Sequence, residues 1–144
     1  MTVSSVSGFQ HEWITLQNQY DSYEKYSLVI KLLNVVLTCH LLFVFHVGSW
    51  TLLVVAMIWL QDGIWKTFQN RIATRLYVVE KTLAETESQE VGHLQAMQFN
   101  SAWLDSRSSV TALLKEYIGQ SCKPTVAYPH AVLLVMSLVF IYAA

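Results

Sequence analysis

Charge is missing from this chain where a soluble domain would carry it. Asp, Glu, Lys and Arg make up 13% of its 144 residues, against about 25% in a typical soluble domain. The shortage is regional. Between Ser27 and Gln61 the one such residue is Lys31, and from Pro124 onward there is none. A water-facing surface interrupts its apolar runs every few residues, so this segregation points to lipid. The formal net charge of -1 gives no reason to expect nucleic acid or an acidic substrate. Cysteine is scarce too. Cys39 falls within one apolar segment and Cys122 just before another, so the pair reads as two free thiols rather than a disulfide framework. Catalytic patterns are also missing: there is no HExxH, CxxC, GxSxG, phosphate loop or glycine-rich nucleotide turn, so no enzyme is expected.

What the chain does have is apolar segments of membrane-crossing size. Residues 27–46 match the 20 or so residues a bilayer core requires. A retained span is expected here, because residues 1–26 precede the segment and no small-residue cleavage site follows it. Val47, Gly48 and Ser49 make a short uncharged turn. A second span, 50–65, is apolar through Leu60 and leaves the membrane at Asp62 and Gly63. A third, 126–144, holds Pro129 in its first turn, where proline is tolerated.

Helical periodicity fills the remainder. MTVSSVSG at the N-terminus reads as frayed. Trp13, Leu16, Tyr20 and Tyr23 then recur at spacings of three, four and three, one face of a helix, with His11, Glu12, Gln17 and Asn18 on other faces. The face suits either the membrane interface or the protein's own cytoplasmic part. No proline interrupts residues 50–120, so span two is expected to run on as a cytoplasmic helix, 66–86. Its apolar seam is Trp65, Phe68, Ile72, Leu76, Val79 and Leu83, a nearly heptad pattern that suggests a coiled coil. Lys66, Arg71 and Arg75 occupy other faces. Residues 87–125 are polar, with Glu85, Glu87 and Glu90 forming a solvated acidic face at their start. A short helix, 109–118, is expected to start at an N-cap within Ser106-Arg107-Ser108-Ser109 and to stop at Gly119. It would dock on the long helix as the second arm of a hairpin.

Lysine and arginine give the orientation. The 47–49 turn has none, whereas Lys66, Arg71, Arg75, Lys81, Arg107, Lys115 and Lys123 all lie between spans two and three. Lys25 lies on the N-terminal side. The positive-inside rule places the N-terminus and the middle segment in the cytoplasm and the C-terminus outside, as in a bacterial inner membrane.

Chemistry inside the bilayer narrows to one helical face, where Ser27, Lys31, Asn34 and Thr38 are spaced four, three and four. Lys31 lies near enough to the end to reach the headgroups. Asn34 and Thr38 lie deeper and need partners, as glue between helices or as the lining of a wet path. His40 and His46 do not share a face, and His130 belongs to the opposite end of another span, so no haem or metal ligand set is expected. Asp62 is most simply paired with Lys66, four residues on.

The segment Trp59-Leu60-Gln61-Asp62-Gly63-Ile64-Trp65, after a two-span hairpin and before a basic helix, resembles a pattern in small, largely uncharacterised bacterial multi-span membrane proteins. In these a span ends in Trp-x-x-Asp plus aromatics, then an Arg-rich helix and a later apolar helix follow. The resemblance covers residues 26–83. Some two-span relatives are thought to act as membrane-disrupting effectors in antiviral defence, so it implies that activity as an alternative and transfers no site residue.

The expected protein is all-α and integral to the membrane, with three transmembrane helices and a cytoplasmic helical hairpin extension. Its expected role is that of a non-enzymatic subunit or scaffold. It would hold a membrane-protein partner, or copies of itself, through the cytoplasmic seam and the polar face of Lys31, Asn34 and Thr38. The alternatives are a homo-oligomeric pore lined by that polar face and a cofactor-binding redox subunit.

Overall fold

The chain was analysed as a computed structural model that describes residues 3–87, 96–105 and 109–143. Five helices account for nearly all of them, and no strand occurs among the described residues: α1 Val3–Phe43, α2 Gly48–Glu87, α3 Phe99–Asp105, α4 Val110–Ser121 and α5 Pro124–Ala143. Glu90, His93, Gln95 and the N-cap at Ser106-Arg107-Ser108 lie outside the described residues. The long second helix starts and ends close to its expected limits. The first is more extensive than expected. Its helix begins at Val3 in place of a frayed terminus, and Phe9 is buried.

The chain divides into two compact units, one of Met1–Tyr23 with Phe68–Ser109 and one of Glu24–Thr67 with Val110–Ala144. In the first, the stripe Trp13, Leu16, Tyr20 and Tyr23 meets Ile72 and Leu76 of α2 and Phe99 of α3. The amphipathic face of α1 is therefore satisfied by the chain itself at these positions. Glu12 and Arg75 depart from expectation. Neither faces solvent: Arg75 Nε donates to Glu12 Oε1 at 2.8 Å and Nη2 to Oε2 at 3.2 Å, with both side chains buried. Spacing explains it. Glu12 lies between Phe9 and Leu16, and Arg75 between Ile72 and Val79, at intervals of three and four that share a helical face. The Met97 backbone N–H also donates to Glu12 Oε2, at 2.8 Å. At the edge of this core, Arg71 stacks over the Phe68 and Trp103 rings, 5.1 and 5.2 Å from their centroids. These three border a pocket of about 210 Å³ that Tyr23 and Phe99 also line.

The second unit holds the apolar segments of α1 and α2 together with α4 and α5. The turn between α1 and α2 closes with the Val47 N–H donating to the Leu41 carbonyl at 3.0 Å. His46 is left-handed there, with φ 55°, a backbone region that polar non-glycine residues reach at small cost. Helix α4 continues two residues past Gly119, to Ser121, before the chain turns into α5. It shares this unit with α5. Its C-terminal end approaches α2 where only glycine fits. A Cβ on Gly63 would fall inside the Ser121 side chain and 3.2 Å from its Cα. Within α5, Tyr128 leaves helical geometry (φ -79°, ψ 128°), because the ring of Pro129 excludes the α region for the residue before it.

The buried ion pair is the feature on which the first unit's pairing depends. Glu12→Ala removes both hydrogen bonds that the buried Arg75 guanidinium makes to this carboxylate, and breaking a buried pair by removing one partner typically costs about 3–5 kcal/mol. Hydrogen exchange on the full chain should then accelerate over residues 9–23 and 68–82 and stay unchanged over residues 28–42. Unaltered protection at 68–82 would show that the pair contributes nothing.

Candidate functional site

The second unit has an unusual distribution of polarity. Ser27, Asn34 and Thr38 of α1, Thr51, Asp62 and Thr67 of α2, and His130 and Ser137 of α5 all have no exposed surface. Large apolar side chains of the same helices face outward, among them Leu28, Leu32, Val36, Met57, Val135 and Val139, each more than half exposed.

Asp62 is the centre of the buried set. The Ser27 hydroxyl donates to Asp62 Oδ1 at 2.7 Å, and His130 Nε2 lies 3.3 Å from Oδ2. Lys31 Nζ lies 3.8 Å from Oδ2 and donates to the Thr125 carbonyl at 2.9 Å. The expected Asp62–Lys66 pair is not formed: Lys66 Nζ donates to Glu24 Oε2 at 2.7 Å. Local spacing made Lys66 the obvious partner, but Asp62 points inward, where only residues from other helices can reach it. On the far side of His130, Asn34 Nδ2 donates to Nδ1 at 2.6 Å, which leaves Nε2 carrying the proton shared with Asp62. Trp59 stacks on the imidazole at 6.3 Å and 21°, and its indole N–H donates to the Ser121 carbonyl at 2.9 Å. Asn34 Oδ1 and Thr38 Oγ1 are buried without a hydrogen-bond partner among the described residues, a state that costs about 1–3 kcal/mol per group.

The residues marked by sequence fall into two groups. Lys31, Asn34 and Thr38 turn toward the second unit's interior, and the first two join the Asp62–His130 cluster. Trp65 lies in the same unit, edge-on to Tyr26 at 5.9 Å. Phe68, Ile72, Leu76, Val79 and Leu83 belong to the first unit. There Ile72, Leu76 and Val79 are buried, and Phe68 is 40% exposed. Sequence reasoning missed His130, Trp59 and the inward role of Asp62. One signal was present: each of the other two apolar segments carries one strongly polar residue near the end where α1 carries Ser27 and Lys31. Packing the segments side by side brings Asp62 and His130 to that level. His40 stays exposed, edge-on to Phe45, and His46 is exposed in the turn.

The order of the bonds limits the chemistry. Ser27 donates to the carboxylate and not to the imidazole, so His130 does not activate it as a base would activate a nucleophile. No group of three His, Cys, Asp or Glu among the described residues is placed to hold a metal. Both ring nitrogens of His130 are engaged. What the arrangement can do is hold and exchange a proton between Asp62 and His130 and tie three helices together. Comparison with known protein families, curated proteins and solved structures gave no match.

If the carboxylate is the centre, its removal must cost more than removal of any one donor. Asp62→Ala, which leaves Lys31 and His130 facing no counter-charge, should destabilise the bundle by about 3 kcal/mol or more. Ser27→Ala should cost about 1 kcal/mol, the usual net size of one hydrogen bond. Reversible unfolding in mixed detergent–SDS micelles measures both, and equal costs would remove Asp62 from its central place.

Proposed function

We propose that the chain is an integral membrane protein with three spanning segments, in α1, α2 and α5. It acts without catalysis, as a subunit or scaffold of a membrane assembly. The observation that carries the membrane reading is the inverted burial of the second unit. Two helices, α1 over Val6–Phe43 and α5 over Pro124–Ala143, are long and apolar enough to cross a bilayer, yet only 22% of each apolar window is buried. The core helix of a soluble protein buries most of such a window. Here the apolar side chains face out and the polar ones in, the arrangement that hydrocarbon selects.

The apolar segment of α2 is diluted by Gln61 and Asp62. Asp62 is, however, internally paired with Ser27, Lys31 and His130. Its charge is not presented to lipid, which supports α2 as the third span. The distribution of Lys and Arg supports a cytoplasmic N-terminus and middle segment.

The subunit reading rests on what is left exposed once internal contacts are made. Lys31 and Asn34 are bonded within the chain, Thr38 is buried, and Ile72 and Leu76 are covered by α1, so neither surface carries the partner contact in full. The same inward turn of Lys31, Asn34 and Thr38 favours the subunit reading over a homo-oligomeric pore lined by that face. Val110, Leu114 and Ile118, at intervals of four along α4, remain more than half exposed. An apolar row of this kind is a contact surface for another membrane component.

Two native thiols test the topology. Cys122 is exposed in the turn before α5 and Cys39 is half-buried in α1. A membrane-impermeant maleimide should label Cys122 in inside-out vesicles and not in right-side-out ones, and should leave Cys39 unlabelled in both. Labelling of Cys122 from both sides, or release of the protein by alkaline carbonate, would overturn the three-span reading. A monodisperse monomer with nothing co-purifying from mild detergent would overturn the subunit reading.

A further inference from the structure

The first unit carries a pocket that the subunit role does not use. We infer that it binds a small aromatic carboxylate, with the ring against Tyr23, Phe99 and Trp103 and the carboxylate on Arg71. The pocket measures about 210 Å³, more than the roughly 150 Å³ at which an apolar cavity admits benzene. It is smaller than the 300–1,000 Å³ or so of sites for drug-sized ligands, which restricts the occupant to a single ring with a short substituent. Three helices build it. Gln19 and Tyr23 of α1 are four residues apart, as are Phe99 and Trp103 of α3, so each pair shares a helical face. On α2, Arg71 lies three residues after Phe68 and so shares its face too.

Charge selects the class of ligand. Arg71 is the one charged side chain in the lining, and no carboxylate of the described residues accompanies it there. A cation entering would meet like charge, whereas an anion meets the guanidinium. The Arg71 Cζ stands 5.1 Å from the Phe68 ring centroid and 5.2 Å from that of Trp103. Ring faces attract a cation without neutralising it. The two rings also restrict a side chain that is otherwise rich in rotamers, so part of the ordering cost is met before a ligand arrives. A guanidinium presents five N–H donors in a planar fork, enough for more than one acceptor at a time. A carboxylate fits that fork with two parallel bonds and brings one negative charge against one positive. A phosphate monoester would bring about 1.5 to 2, more than this lining balances.

The rest of the lining selects the body of the ligand. Tyr23 and Phe99 are packed on the core of Leu16, Ile72 and Leu76, so the inner side of the pocket is backed by buried aliphatic residues. Trp103 is half-buried, and Phe68 remains 40% exposed. Aromatic walls favour a flat ring through offset or edge-on contacts. The exposed amides of Gln19 and Asn100 lie at the rim, where they suit a polar ring substituent. An occupant touches α1, α2 and α3 at once, and binding to the folded unit alone stabilises it by mass action.

Saturation-transfer NMR on the full chain in lipid nanodiscs tests this with three probes that share one ring: phenylacetate, phenylacetamide and 2-phenylethylammonium. Empty nanodiscs give the baseline. Phenylacetate should bind saturably and the amide about tenfold more weakly, the usual consequence of losing one charge-assisted hydrogen bond. The cation should give no signal above baseline. Arg71→Met keeps an apolar stem and should bring phenylacetate down to the affinity of the amide while leaving the amide unchanged. Gln19→Phe fills the pocket from its exposed rim and should abolish binding of both with Arg71 intact. Hydrogen exchange over residues 9–23 confirms that each variant keeps the first unit, and the order of the three probes on the unaltered chain decides even where a variant unfolds. Equal binding of phenylacetate and phenylacetamide overturns the inference, as does a phenylacetate signal no larger than that of empty nanodiscs. Tighter binding of octanoate than of phenylacetate would assign the pocket to an acyl chain and overturn it too. None of these outcomes bears on membrane insertion or partner binding, which the vesicle and purification experiments read separately.

Discussion

Everything in the second unit is arranged around one carboxylate that water does not reach. An ionised side chain moved out of water carries a desolvation cost of several kcal/mol, and the cost is met only when donors and counter-charge surround it closely. No single helix can supply them to Asp62. α1 provides Ser27 and Lys31, and α5 provides His130. The end of α4 is held at the same level by the Trp59 indole and by the close approach at Gly63. The pairing of the apolar segments is thus specified near one end, within a few residues of Asp62. Further along, α1 offers the deeper and less demanding Asn34 and Thr38.

The first unit follows the same rule with different residues. Glu12 and Arg75 are buried between two helices and face each other with two hydrogen bonds. A buried ion pair is weak evidence for stability, since an apolar pair of similar volume often does as well. Its value here is in register. The apolar row Phe9, Leu16 against Ile72, Leu76, Val79 would tolerate a slip of one turn with little loss of burial. The same slip would strand a carboxylate and a guanidinium. In a lipid-facing bundle this matters even more, because apolar side chains gain little from leaving hydrocarbon for one another. Polar pairs then carry most of the specification.

That division explains what could be read from residues alone. Helical periods, the long run of α2, the apolar segments and the polar row Ser27, Lys31, Asn34, Thr38 are all local patterns, set by spacings of three and four. The partners of Asp62 are not local. Ser27 lies 35 residues away in sequence and His130 lies 68 away, whereas Lys66 at the fourth position satisfies every local rule and still pairs elsewhere. Glu12 and Arg75 were misplaced for the same reason: a charged residue on an apolar stripe reads as a solvated neighbour until its counterpart on the other helix is known. The departure at Tyr128 was legible in principle, because the residue before a proline is pushed out of the α region whatever surrounds it.

The buried polar groups of the second unit are interspersed with aliphatic ones. Leu42 and Val55 have no exposed surface, and Val126 and Leu133 have almost none. They fill the second unit's interior alongside the hydroxyls of Thr51 and Ser137, which are spent on backbone carbonyls four residues earlier, those of Val47 and Leu133. A hydroxyl satisfied by its own helix is a poor link in a conducting chain, since it must first break a bond to pass one on. Bonds from one helix to another are made instead by Ser27, Lys31, Asn34, Asp62 and His130. This set links α1, α2 and α5 at one level of the unit. Any effect it has on the protein must be exerted through the three helices it ties together.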